Sequence, residues 1–78
     1  PRTARDMAAA SRSIAPARLK TGDLVFFNTS GSNPYSHVGL YIGNGEFIHA
    51  PSSRGTIRTE KLSNPYFSQR FTGAHTFF

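Results

Sequence analysis

Ser36-His-Val-Gly-Leu-Tyr-Ile-Gly-Asn-Gly-Glu-Phe-Ile-His49 sets two strand-favouring runs on either side of Gly43-Asn-Gly45, the pattern of a β-hairpin. A three-residue loop over 43–45, with glycine at the left-handed position, pairs Ile42 with Glu46. The period of two then places Tyr41 opposite Phe47 and Gly39 opposite His49, with His37 diagonal to His49 on one face. Diagonal cross-strand neighbours sit roughly 7–8 Å apart, within reach of two imidazoles leaning together. Gly39, without a side chain, leaves room for the His49 ring to cross to His37. A two-residue turn would send the histidines to opposite faces, so their pairing rests on loop length. The same register gathers Val38, Leu40, Ile42 and Ile48 on the other face as the candidate core.

Outward from the hairpin, Leu24-Val-Phe-Phe27 reads as a strand covered on both faces, entered through the Lys20-Thr-Gly-Asp23 turn. In that turn Asp23 is read as a structural acceptor of backbone N–H groups. Residues 28–34 form a polar surface loop, 35–42 and 46–50 the hairpin strands, 51–55 a loop and 56–58 a brief strand. Ser63 to Tyr66 is a turn or a single helical turn, and Phe71 to Phe78 a closing strand. Before all of these, Ala8, Ala9 and Ala10 favour a short helix over residues 4–13, with Thr3 as its cap, and Pro16 blocks its continuation. The fold class is therefore α+β: a short N-terminal helix followed by a mostly antiparallel sheet of about five short strands.

Seventy-eight residues allow one domain with a small core, to which seven Phe and three Tyr contribute most of the area. There is no cysteine, so neither a disulfide nor a thiolate metal site is available. The net charge of +5 favours anionic partners, but the basic residues are scattered and no nucleic-acid motif is present, so nucleic acid is not the expected partner. No apolar run approaches the ~18 residues of a membrane span. A signal-peptide pattern is absent too. Pro1 is an unusual first residue for a translated chain, which points to a segment upstream.

Two imidazoles side by side suit one chemical task. One ring takes and returns a proton, while the second accepts a hydrogen bond from its Nδ1–H and fixes tautomer and orientation. A neutral partner supports the charged ring less than a carboxylate does, which suffices for a thiol that ionises easily. Zinc on His37, His49 and His75 is disfavoured, because no cysteine and no suitably spaced carboxylate joins them. His75 is read as a surface strand residue. Ser36 and Tyr35 precede His37 and are candidates to line a substrate cleft, on position alone.

Leu19-Lys-Thr-Gly-Asp-Leu-Val-Phe-Phe27, Ser36-His-Val-Gly-Leu-Tyr-Ile-Gly43 and Phe47-Ile-His-Ala50, with twelve residues from His37 to His49, resemble the C-terminal part of the NlpC/P60 domain. These are papain-like cysteine peptidases that cut the peptide stems of bacterial cell wall. The resemblance covers roughly residues 1 to 76. It implies the β-rich half of a papain-like fold, with His37 as general base and His49 as the polar residue orienting it. It also implies a catalytic cysteine opening an upstream helix, no cofactor and no metal, and a periplasmic, cell-envelope or secreted location. Departures from the pattern are the missing cysteine motif, the missing upstream tyrosine, and His75 where a basic residue is expected.

The expected function is thus the C-terminal part of a peptidoglycan stem-peptide endopeptidase or amidase, with residues 1–78 forming one partial domain. Alone it is expected to be inactive, its partners being the stem peptide and a cysteine-bearing N-terminal segment of the same domain. The alternative is a catalytically inactive cell-wall-binding module of the same fold. A further structural reading is a subdomain that folds only with a partner, for which an exposed apolar sheet face predicts poor solubility or oligomerisation.

Overall fold

The structure, a computed structural model, describes residues 3–51 and 55–78. Its elements run α1 (Ala4–Ala10), β1 (Arg12–Ile14), a 3₁₀ turn (Pro16–Arg18), β2 (Leu24–Phe27), β3 (His37–Gly43), β4 (Glu46–His49), β5 (Arg58–Lys61), α2 (Pro65–Ser68) and β6 (Phe71–Thr76). The six strands form one sheet in the order β1-β6-β2-β3-β4-β5, every neighbouring pair antiparallel. The α+β class holds, with six strands where about five were expected.

The extra strand comes from the end of the expected helix. Thr3 caps α1 as read, its Oγ1 accepting from the Asp6 amide at 3.0 Å. The helix stops at Ala10, short of residue 13. Ser11 turns extended and its hydroxyl donates back to the Met7 carbonyl at 2.7 Å, a local bond that competes with helix propagation. Arg12 to Ile14 then pair with Thr76 to Ala74. Three more residues of a marginal helix would add less than a strand ladder at the sheet edge.

The hairpin reaches the expected arrangement by a different route. Its turn has two residues, Asn44 and Gly45, both at positive φ (55° and 75°), the backbone a type I′ turn requires. Gly43 pairs with Glu46, Tyr41 pairs with Phe47, and Ile42 is left over as a bulge in β3. The shorter turn flips the alternation and the bulge flips it back. Both histidines therefore stay on one face.

Core placement differs more. Val25, Phe27, Phe47 and Phe67 form the main cluster, with Tyr41, Phe71, Leu19 and Leu62 against it, on the face that carries the histidines. Phe27, Phe47 and Phe67 meet at ring centroid distances of 5.0, 5.2 and 5.1 Å. On the expected core face, Val38 packs with Ala8, Leu24 and Phe26, but Leu40 is 40% exposed and Ile42 37%. One short helix does not span that face.

Remaining boundaries move by a few residues. The strand read at 56–58 lies at Arg58–Lys61, and the turn read at Ser63 to Tyr66 becomes α2, capped by the Asn64 side chain on the Tyr66 amide at 2.9 Å. The closing strand ends at Thr76, leaving Phe77 and Phe78 exposed. Most of the loop read at 51–55 lies outside the described residues. Asp23 is structural: fully buried, it accepts from the Lys20 amide at 3.1 Å and the Lys20 ammonium at 3.2 Å. Burial alone would raise its carboxyl, but hydrogen bonds from Thr76 and Lys20 outweigh this and hold it below the usual carboxylate range.

Candidate functional site

His37 opens β3 and His49 closes β4, so both rings stand at the same end of the sheet. His37 Nε2 lies 2.7 Å from His49 Nδ1, with the rings nearly perpendicular and 5.0 Å apart. The facing nitrogen of His37 is thus Nε2, not the Nδ1 that sequence reasoning assigned, and Nδ1 is left without a hydrogen bond among the described residues. His49 is 7% exposed and wedged between Phe47 and Phe67, at 5.2 and 5.1 Å. His37 is half-buried beside Phe27. Burial, then the neighbouring His49, push its pKa below the ordinary imidazole value.

Gly39 serves the site differently from its expected role. A methyl group built there would fall 2.5 Å from the Phe47 ring, so the space is filled by Phe47, not by His49 crossing over. Phe47 in turn forms one wall of the His49 pocket. The glycine acts on the histidine through the phenylalanine.

A cavity of about 260 Å³ opens at the two histidines, bounded by Thr29, Arg58, Glu60, Tyr66 and Phe67. Glu60 Oε2 approaches His49 Nε2 at 3.4 Å. Sequence reasoning missed Glu60 because it ended the strand at 58, and it gave Arg58 and Tyr66 no site role because the pairing of Arg58 with β4 and the place of Tyr66 at the cavity are tertiary. Carried on to 61, the alternation would have put Glu60 beside Phe47, on the histidine face.

Ser36 and Tyr35 do not reach this cavity. The Ser36 hydroxyl accepts from the Thr29 amide at 2.8 Å and donates to the Phe27 carbonyl at 3.2 Å, closing the 28–36 loop. Tyr35 and Ser36 precede β3, in the loop where strand alternation does not apply, and Tyr35 lies across the sheet against Phe26 and His75. His75 is not on the surface: it is 7% exposed, with Nδ1 2.9 Å from Ser11 Oγ and its ring edge-on to Phe26. β6 is an interior strand covered by α1, which the alternation at the chain end did not reveal. Among the described residues no three His, Asp or Glu side chains converge to hold a metal.

The NlpC/P60 family model matches residues 1–76, and the chain belongs to that family. Murein DD-endopeptidase MepH of Escherichia coli is 44% identical over 77 residues, covering 95% of this chain and 28% of the relative. Peptidoglycan DL-endopeptidase CwlO of Bacillus licheniformis is 45% identical over 62 residues, covering 80% of this chain and 13% of the relative. The crystal structure of an NlpC/P60 family protein from Bacillus cereus superposes with a TM-score of 0.86 at 28% identity, over 99% of this chain and 26% of that one. The chain therefore spans less than a third of the length of each of these three. Its relatives include peptidoglycan endopeptidases, and no helix among its described residues is long and apolar enough to cross a membrane.

Proposed function

We propose that this chain is the histidine-bearing part of a cysteine endopeptidase acting on peptidoglycan stem peptides in the cell envelope or outside the cell. Residues 1–78 would be one part of a single catalytic domain. The observation that carries this is the 2.7 Å contact between His37 Nε2 and His49 Nδ1, which leaves His37 Nδ1 without a hydrogen bond among the described residues. The nucleophile would be a thiol on a segment outside these residues, since the chain has no cysteine.

In this reading His37 Nδ1 removes the thiol proton, and the thiolate attacks the scissile carbonyl carbon. The imidazolium, supported by the lone pair of His49 Nδ1, gives the proton to the leaving amine as the C–N bond breaks. Water then releases the acyl group, with His37 again as base. No cofactor or metal is called for.

A second surface supports the missing partner. Met7, Leu24, Val38, Leu40, Ile48 and Ile57 border an apolar cavity of about 350 Å³ on the face opposite the main core. We assign it to the cysteine-bearing segment, because an apolar face of this kind is covered in a stable domain and the chain is 28% of MepH in length. A polypeptide joining a cysteine-bearing family segment to this chain is expected to cleave stem peptides. His37→Ala should lower cleavage by roughly 10²–10⁴-fold. No hydrolysis with both parts folded, or cleavage by His37→Ala within a few-fold of the unsubstituted protein, would overturn the assignment, and saturable muropeptide binding by the inactive protein would favour a binding module instead.

A further inference from the structure

We propose that Glu60 is a positioning residue that sets the direction of the proton relay, by holding His49 as its Nε2–H tautomer. The proposal rests on the catalytic reading of His37 and adds a carboxylate behind the histidine pair.

A neutral imidazole has one N–H donor and one bare acceptor nitrogen. At 2.7 Å, one of the two facing nitrogens, His37 Nε2 or His49 Nδ1, must carry the proton. Two arrangements satisfy that contact, and they are opposite in consequence. If His49 Nδ1 donates, then His49 Nε2 is a bare lone pair, and His37 carries its proton on Nδ1. His37 then offers nothing with which to deprotonate a nucleophile. If His37 Nε2 donates, His37 Nδ1 is bare and can act as a base.

Only a third group can decide between the two, and Glu60 is placed to do so. Its Oε2 lies 3.4 Å from His49 Nε2, and no other acceptor approaches that nitrogen among the described residues. A lone pair on this buried ring would face a carboxylate oxygen, whereas an N–H would donate to it. The carboxylate therefore selects Nε2–H on His49, which leaves His49 Nδ1 bare, which draws the Nε2 proton of His37 into the contact. The geometry follows from register. His49 pairs with Arg58 and Phe47 with Glu60, so Glu60 is diagonal to His49 from the β5 side as His37 is from the β3 side. The charged or titratable side chains facing the pair are Glu60 and Arg58 from β5 and Tyr66 from α2. Of these only Glu60 comes within hydrogen-bond distance of His49, at 3.4 Å.

The first test reads tautomers by ¹⁵N-resolved NMR of the histidine side chains in the 78-residue chain near neutral pH. The wild type should show His49 protonated on Nε2 and bare on Nδ1, and His37 the same. Glu60→Ala should turn both rings into tautomer mixtures, while Glu60→Gln, which keeps an acceptor oxygen, should largely preserve the wild-type pattern. A wild-type His49 protonated on Nδ1, or a pattern unmoved in Glu60→Ala, would overturn the proposal. Should Glu60→Ala unfold, the wild-type spectrum alone decides.

The second test uses the polypeptide completed by a cysteine-bearing segment. Glu60→Gln removes a negative charge near the His37 imidazolium, so the basic limb of the kcat/KM profile should move down by about half a unit to one unit. Glu60→Ala should lower kcat about tenfold with little change in KM, in keeping with outer-shell partners of histidines. An unshifted limb together with an unchanged kcat would refute the proposal. Absence of all hydrolysis would instead refute the catalytic reading, leaving the tautomer result to judge Glu60.

Discussion

Two histidine clusters lie on opposite faces of the same sheet. His49 and His75 are equally buried, each packed edge-on against phenylalanine, and each makes one short hydrogen bond through Nδ1. Their partners separate them. The Ser11 hydroxyl spends its proton on the Met7 carbonyl, so it accepts from His75 Nδ1–H, and the chain of bonds ends in helix backbone. The His49 bond leads instead to a second imidazole with a free nitrogen at a cavity, and is backed by a carboxylate. Burial alone does not mark a histidine as chemical. What matters is whether its hydrogen-bond chain ends inside the fold or at an opening.

The largest expected effect tests that contrast directly. In the completed polypeptide, His37→Ala should reduce stem-peptide hydrolysis by roughly 10²–10⁴-fold, the range of a lost general base, with little change in melting temperature. His75→Ala should do the reverse: hydrolysis within a few-fold of wild type and a stability loss of about 1–3 kcal/mol, from the emptied space and the broken link between α1 and β6. Steady-state kinetics and thermal melts on the two variants decide it. Equal activity losses would erase the distinction between the clusters.

Gly39→Ala comes next, because it reaches the histidine pair only through packing. The added methyl meets a fully buried Phe47 ring at 2.5 Å, so overpacking should cost about 1–3 kcal/mol. Denaturant melts should show that loss, and the His49 ring resonances should shift as Phe47 is displaced. An unchanged melt would mean that Phe47 has somewhere else to go.

Acid should weaken both clusters together. The pKa values of His37 and His75 are lowered, in both cases chiefly by burial, with the Ala8 carbonyl partly opposing this at His75. The unfolded chain therefore binds more protons at these positions, and stability rises with pH through that window. The contribution is present above the unfolded imidazole value of about 6.5 and is lost as pH falls through the lower folded values. Asp23, also lowered, adds a second decline at more acidic pH, below about 4. His75→Gln should flatten the first decline in a stability profile, and a slope unaltered by that change would place it elsewhere.

The smallest effect concerns the uncovered face. With Leu40, Ile42 and Ile57 exposed, the chain alone should self-associate, and Leu40→Lys should shift sedimentation toward monomer without altering the melt by more than about 0.5 kcal/mol. A monodisperse wild-type monomer would break the assignment of that face to a missing segment.

Much of this was legible in the residues. Leu24 to Phe27 as a doubly covered strand and a hairpin turning within Gly43-Asn-Gly45 follow from local periodicity, whereas the shared face of the two histidines, expected from a three-residue turn, comes from a two-residue turn and a bulge at Ile42. The expected core face was not where the main core lies, because alternation tells which residues share a face but not which face another element covers. Here α2 brings Phe67 onto the histidine side, and no described element brings an equivalent to Leu40 and Ile42. Ser36 and Tyr35 were named for proximity in sequence to His37, but both lie in the loop before β3, whose own bonds and packing, Ser36 to the Phe27 carbonyl and Tyr35 against Phe26, direct them. Asp23 was read correctly because a turn carboxylate bonds to its own neighbours.

By itself the sequence determined that two histidines twelve residues apart flank a glycine turn in a chain without a cysteine. Spacing, turn chemistry and strand period are properties of contiguous residues. Tertiary structure alone decided that a bulge at Ile42 offsets a shorter turn, that Phe47 fills the space over Gly39, and that Glu60 stands behind His49. Each of these depends on strands pairing across many residues, where one inserted residue or one extra strand position changes which side chains meet.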